Sequence, residues 1–245
     1  MGKKIIGISS SRVNGNTAKK LNEIGEILKS KGYEFEIVHL MKHNVKECVG
    51  CETCLIGGGC PLNDDAEIIM DKLIQSDGIV MSTPVYMFNI CGRLKTFVDR
   101  TCRWFHRTEI YGKPILNLIT TAGGGIKETG KYMNLLAVEW GAYPSGCVKR
   151  TVMNLKDKVR ENEIEKFIIN IEKGSDTFKP SLNMLMMFSM QKVLAQKVLE
   201  QDEEYWIKKG WIDSDYFYKC KINPINKVLS KAFYKMMYKK IKKSI

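Results

Sequence analysis

Two stretches hold the residue types that could do chemistry. Cys48, Cys51, Cys54 and Cys60 fall within thirteen residues, and the run Ser9-Ser10-Ser11-Arg12-Val13-Asn14-Gly15-Asn16-Thr17 gathers hydroxyls, amides and a guanidinium without an acid. The first three cysteines repeat every third residue, so their sulfurs converge if the backbone turns, and Gly57-Gly58-Gly59 lets the chain return Cys60 as a fourth donor. Ferredoxin-type runs have a shorter gap before the last cysteine, which serves a second cluster. Here the gap is five residues and no second set follows, so one [4Fe-4S] cluster held by all four thiolates is the sharper reading. A tetrahedral zinc and plain free thiols are the alternatives. Cys91, Cys102, Cys147 and Cys220 are scattered and read as ordinary thiols.

The acid-free run follows the apolar Ile5-Ile6-Gly7-Ile8 and precedes a helix-period segment, so its polar groups and backbone N–H groups sit where a strand hands over to a helix. Such a place binds phosphate. An ordinary polar loop in which Asn16 or Thr17 caps the next helix is the other reading.

The elements that must position these residues alternate along the chain. Strands are expected over residues 4–9, 34–40, 78–83 (ended by Pro84), 114–121 and 143–149, and helices over 17–31, from Asp64-Asp65 through Ile74, 89–100, 129–140 and 155–173. This alternation implies an α/β fold, a doubly wound five-stranded parallel sheet over residues 1–175, with the cysteine segment inserted at 46–63 and a helical extension at 176–245. Ligands of such sheets sit outside the carboxyl ends of the strands. In the flavodoxin-like order the loops at 9–17, 84–90 and 121–125 meet there.

Three motifs together resemble the flavodoxin-like NAD(P)H-dependent FMN reductases, and within them the iron-sulfur flavoproteins. They are Ser10-Ser11-Arg12-Val13-Asn14-Gly15-Asn16-Thr17; the cysteine run followed by Asp64-Asp65; and Thr83-Pro84-Val85-Tyr86 with Leu94-Lys95-x-Phe97-x-Asp99-Arg100. The resemblance covers roughly residues 4–150 and implies that Ser10, Arg12, Asn14, Gly15, Asn16 and Thr17 hold the FMN phosphate. It implies further that Pro84, Val85, Tyr86, Met87, Phe88 and Asn89 flank the isoalloxazine ring, with Thr121, Ala122, Gly123 and Gly124 on its other side. Gly123 and Gly124 suit that role physically, because a flat ring needs backbone without bulky side chains. Ser11 stands where many relatives carry proline, and Met87-Phe88-Asn89-Ile90-Cys91 replaces a commoner run of small residues.

The resemblance implies NAD(P)H as electron donor, a small-molecule or protein acceptor, and a homodimer or homotetramer. A flavodoxin-like electron carrier or redox sensor is the alternative. No catalytic side chain is singled out, since hydride transfer to a flavin is the cofactor's own chemistry. No G-x-G-x-x-G follows a strand, so the nucleotide would stack on the flavin, with Arg12, Arg103 or Arg107 as phosphate partners.

Composition places the chain among globular proteins: 44% of residues are hydrophobic and the formal charge is +12. Eight lysines and no acid occupy the last twenty-five residues. A cytoplasmic location is expected, since no signal peptide or apolar span of about twenty residues appears. The Met-rich segment 180–199 is apolar nearly all round and must be buried, and Asp202 to Trp211 reads as a turn-rich aromatic patch. The segment 226–244 is a basic amphipathic helix, with Leu229, Phe233, Met237 and Ile241 on one stripe and lysines opposite. Docking of that stripe on the protein is favoured over an anionic membrane surface or an acidic electron-transfer partner. Nucleic-acid binding is not expected, for no reader motif accompanies the charge.

Overall fold

The computed structural model describes residues 2–243. In chain order the elements are β1 (Lys4–Ser9), α1 (Asn16–Ser30), β2 (Glu34–His39), α2 (Ala66–Gln75), β3 (Gly78–Tyr86), β4 (Asn89–Ile90), α3 (Gly92–Arg100), α4 (Arg103–His106) and β5 (Pro114–Thr120). There follow α5 (Ile126–Glu139), β6 (Tyr143–Arg150), α6 (Glu161–Lys173), α7 (Leu182–Lys197), α8 (Glu200–Lys208) and α9 (Pro224–Lys240). The sheet order is β2-β1-β3-β5-β6 with every pair parallel, and β4 folds back antiparallel on the end of β3. With the short β4 set aside, this is the flavodoxin-like 2-1-3-4-5 order.

Strand side chains alternate between two faces, and here both faces are covered. Ile5, Val80, Leu116 and Val148 pack against Leu21, Ile24 and Leu28 of α1 and Ile164 and Phe167 of α6. Ile6, Ile8, Ile79, Met81 and Ile119 pack instead against Ile69 and Leu73 of α2, Leu94 and Phe97 of α3, and Met133 of α5. Each of these fully buried side chains contributes about 1.5–3 kcal/mol, which makes the sheet the rigid part of the molecule.

Several boundaries differ from the sequence expectation, each for a local reason. Pro84 does not end β3: it pairs with Thr120 of β5, and the strand runs on to Tyr86. The next helix starts at Gly92 because Asn89 and Ile90 are drawn into β4. The helix expected from 155 starts at Glu161, because Asn154 Oδ1 accepts the Thr151 N–H at 2.7 Å and closes a turn. Residues 200–208 are a helix, α8, and no turn-rich patch; Glu200, Asp202 and Glu203 in its first turn complement the helix dipole. Helix α9 begins early, at Pro224, where Asn223 Oδ1 accepts the N–H groups of Ile225 and Asn226. The end of the expected helix, Ser244, lies outside the described residues.

The extension packs around α7, whose Met184, Leu185, Phe188, Val193 and Ala195 are buried. Phe188 is ringed by Trp206, Tyr216 and Phe217. The buried Gln191 donates from Nε2 to the carbonyls of Phe105 (2.8 Å) and Glu139 (2.7 Å), satisfying the ends of α4 and α5. The all-round apolar helix is thus buried within its own chain.

Candidate functional site

Parallel strands deliver all their outgoing loops to one edge. After β1 the chain makes a tight turn in which the Gly15 N–H donates to Arg12 O at 2.8 Å, and a Cβ on Gly15 would stand 3.0 Å from that oxygen. Helix α1 then starts with no side-chain cap and no acid in its first turn, so its leading N–H groups face the loop. Arg12, Asn14 and Asn16 are exposed, Gly15 is half-buried and Thr17 is buried. The Ser10 hydroxyl donates to Ser82 O at 2.7 Å and accepts from the Cys91 thiol at 3.2 Å, which ties the loop to β3. The hydroxyls of Thr17 and Thr120 share a hydrogen bond of 2.6 Å, tying it to β5. At the foot of the loop Ser9 Oγ is buried without a partner among the described residues.

The second loop is the β3–β4 hairpin. Val85 pairs with Ile90 and Tyr86 with Asn89, leaving Met87 and Phe88 as a two-residue turn with φ of 47° and 63°. Two-residue turns of this type favour Asn-Gly, because side chains in the left-handed region clash with their own backbone. Here the strained positions carry large apolar side chains pointing outward: Met87 is 95% exposed and Phe88 65%. The third loop, Thr121 to Gly125, lies directly beneath. A Cβ on Gly125 (φ +86°) would come within 2.7 Å of Phe88 Cα and of Val85 Cγ1, and one on Gly124 within 3.0 Å of the Phe88 ring. The Thr121 hydroxyl closes the loop by donating to Gly124 O at 2.9 Å, while Ala122, Gly123 and Gly124 stay exposed. The three loops therefore leave the sheet around the switch between β1 and β3, with Ser10 tied to β3, Thr17 to β5 and Phe88 against Gly124 and Gly125. None of the loops contains an acid.

The cysteines lie on the long irregular connection from β2 to α2, which leaves the same edge. Its base is clamped by a buried ion pair: Arg100 binds Asp64 with both Nη atoms, donates to Lys46 O at 3.0 Å and reaches Cys60 Sγ at 3.1 Å. Asp64 also accepts the N–H groups of Lys46 (2.7 Å) and Ala66 (3.1 Å). Burial alone would raise the Asp64 carboxyl, but Arg100 and the two backbone donors outweigh it and hold it below the usual range. Arg107 grips the tip through Cys54 O (2.5 Å) and Leu55 O (2.9 Å), and is itself paired with the fully buried Asp202 of α8, which also meets His106 Nδ1 at 2.8 Å. Cys48 and Cys51 are exposed, and Cys54 and Cys60 half-buried. The Thr53 hydroxyl donates to Cys51 Sγ and lowers that thiol, whereas burial, with Cys60 and Cys48 nearby, raises Cys54. Arg103 is engaged by Glu67 and Glu109. Of the three arginines considered as nucleotide partners, only Arg12 is uncommitted among the described residues.

Residues 3–152 match the family described as NADPH-dependent FMN reductase. The chain belongs to that family. Among its relatives, an iron-sulfur flavoprotein of Archaeoglobus fulgidus is 30% identical over 220 residues, covering 85% of this chain and 100% of that protein. An iron-sulfur flavoprotein of Clostridioides difficile is 27% identical over 219 residues, covering 83% and 96% respectively. In fold the chain is similar to RosB, solved with bound 8-demethyl-8-formylriboflavin-5'-phosphate, with a TM-score of 0.55 at 13% identity over 91% of this chain and 92% of that one. An FMN reductase is an oxidoreductase whose cofactor takes up and passes on electrons.

The three loops fit FMN. The uncapped start of α1 suits a phosphate, and the open backbone at Gly123, where a Cβ would meet nothing within 4 Å, suits a flat ring. For a cluster the donor chemistry fits, four soft thiols of which Cys60 meets the Arg100 guanidinium, but the sulfurs are not drawn together. Among the described residues no three Cys, His, Asp or Glu side chains converge as a metal site. Sequence reasoning missed the clamps, Arg100 with Asp64 and Arg107 with Asp202. Arg100 and Asp64 stood inside recognised motifs, so only their pairing was hidden; nothing in the sequence pointed to Asp202.

Proposed function

We propose that this FMN-dependent oxidoreductase binds its flavin across the loops after β1, β3 and β5 and is reduced there by NAD(P)H, passing the electrons to a small-molecule or protein acceptor. The observation that carries the reading is the convergence of three acid-free loops at the switch point, with the hairpin tip seated on Gly124 and Gly125. The phosphate is held by the first-turn N–H groups of α1 with Arg12, Asn14, Asn16 and Thr17. Ser10 serves by fixing β1 to β3, its proton being given to Ser82 O. Gly123, where a Cβ would meet nothing within 4 Å, lets backbone approach the ring, while Tyr86, Met87 and Phe88 supply an apolar screen that excludes water. Bound FMN supplies the hydride and electron chemistry. The chain's part is to place and shield it.

Cys48, Cys51, Cys54 and Cys60 are proposed as the ligands of a [4Fe-4S] cluster. Their spacing and the iron-sulfur flavoprotein relatives support this over zinc. A homo-oligomer in the cytoplasm is the accompanying proposal. The test is anaerobic purification followed by assay of flavin, iron, sulfide and zinc, and then addition of NADPH or NADH. Stoichiometric FMN, about four irons per chain and bleaching of the flavin band by one nucleotide are expected. Stoichiometric zinc without iron refutes the cluster, and failure to take up FMN on reconstitution refutes the flavin site.

A further inference from the structure

Helix α9 has two apolar faces, and only one is docked. On the inner side Ser230 is buried and its carbonyl accepts from Ser189 Oγ at 3.3 Å, while the Tyr234 hydroxyl donates to Gln196 at 2.7 Å and Lys197 Nζ stands 3.8 Å over the Tyr238 ring. The outer side carries Ile225 (70% exposed), Val228 (67%), Leu229 (48%) and Met236 (55%), with the exposed Ala232 between them. At 100° per residue these five occupy a sector about 100° wide. Lys231 and Lys235 border it on one side and Lys240 on the other, and Lys239 stands at its end. Asp215 pairs with Lys227 and Lys231. Lys235, Lys239 and Lys240 have no ion pair among the described residues, and no acid occurs from Tyr216 onward.

We propose that this face lies on an anionic lipid surface, with the apolar stripe entering the headgroup region and the lysines meeting lipid phosphates. No helix among the described residues is long and apolar enough to cross a membrane, so the contact is peripheral. The charge pattern selects lipid over a second copy of the chain. A two-fold pairing of this face would set the lysine rows of two copies against each other with no acid to relieve them, whereas an anionic bilayer supplies the missing charge.

The test is sedimentation of the full chain with vesicles of phosphatidylglycerol and phosphatidylcholine, compared with phosphatidylcholine alone. A lysine near an anionic surface adds about 1 kcal/mol, or about fivefold, so the three unpaired lysines predict a partition about 100-fold higher onto anionic vesicles, falling steeply with salt. V228E/M236E, which changes only exposed positions and should leave the melting temperature unaltered, lowers that partition at least about tenfold. The triple variant of Lys235, Lys239 and Lys240 to Gln lowers the preference for anionic lipid by about that same 100-fold factor. Equal partition onto both vesicles, or none, overturns the proposal. So does a self-associated chain that fails to bind vesicles and is made monomeric by V228E/M236E, and so does capture by an acidic protein alone.

Discussion

The strained hairpin gives a prediction with opposite signs for stability and for binding. Met87 holds φ 47° at the first turn position although 95% of its surface is exposed, so burial returns almost nothing for the strain. A non-glycine side chain in the left-handed region costs about 1 kcal/mol, and asparagine is the residue that tolerates that region best without glycine's unfolded-state entropy. Met87→Asn should therefore stabilise the apoprotein by about 1 kcal/mol, a rise of about 2–4 °C in Tm for a chain of this size. The same change removes the thioether from the proposed flavin mouth. A sulfur–aromatic contact is worth about 1 kcal/mol, so the Kd for FMN should rise about fivefold. Phe88→Gly separates the two effects. Phe88 is 65% exposed and its ring lies on Gly124, so it buries roughly 70 Å² of an aromatic side chain of about 200 Å², about 2 kcal/mol, which offsets the strain relief. That variant should melt at or slightly below the parent temperature. Calorimetry of the apoproteins and fluorescence titration with FMN supply the readouts. An apoprotein of Met87→Asn that melts no higher refutes the strain argument, and one that melts higher with unchanged FMN affinity removes Met87 from the flavin site.

Three further outcomes follow from the clamps around the thiols and from the far end of β6. Arg100→Met strands the buried Asp64 carboxylate and should cost about 3–5 kcal/mol, measured by urea unfolding, with Arg100→Lys intermediate because it keeps the charge and loses the fork. Asp202→Asn leaves the Arg107 cation without its buried partner; a loss of about 2 kcal/mol and faster proteolysis within 52–59 are expected, the second of which a purely local defect in α8 would not produce. Glu163 takes both guanidinium nitrogens of the buried Arg150 at 2.8 Å, and that bidentate pair, against an opposing burial effect, lowers its carboxyl to about 2. A depressed carboxylate stabilises the fold above its unfolded value near 4.5 and loses that contribution as pH falls through about 2. Acid unfolding of the parent should therefore be steep across that window and flattened in Glu163→Gln.

Much of the fold was legible because short, continuous apolar runs alternate with helix-period segments, the pattern of a parallel sheet covered on both faces. The three site loops were legible for the same reason, since strand order alone determines which loops meet. The misreadings share a physical cause, a tertiary partner overriding a local signal. Pro84 reads as a strand end because it lacks a donor, yet Thr120 pairs with it in register. Asp202 to Trp206 reads as turn because its acids and aromatics lack a simple period, yet Trp206 buries against Phe188 and Asp202 against Arg107. The stripe through Leu229 and Phe233 was visible on α9, but the second stripe through Ile225, Val228 and Met236 overlaps the lysine side and was masked by it. Arg103 and Arg107 read as free cations because their partners are set by folding, for Arg107 across ninety-five residues.

That the connection carrying the cysteines starts from the same sheet edge as the loops proposed to hold flavin is a consequence of the sheet and not of the cysteines. In a parallel sheet the connection after each strand leaves from the carboxyl edge, and β2 pairs directly with β1. Neighbouring strands lie about 4.8 Å apart, so the connection that carries Cys48 to Cys60 is rooted one strand spacing from the loop after β1 and two from the hairpin. What the sheet does not supply is a hold on the loop itself, which has no regular structure across 43–65 apart from turns. That hold comes from three places outside the sheet: Asp64 at the threshold of α2, Arg100 at the end of α3, and Arg107 after α4, the last kept in position by Asp202 of the extension. A change in the packing of α8 is therefore transmitted to the Cys54 carbonyl by two polar contacts, which makes the extension a structural part of the thiol site.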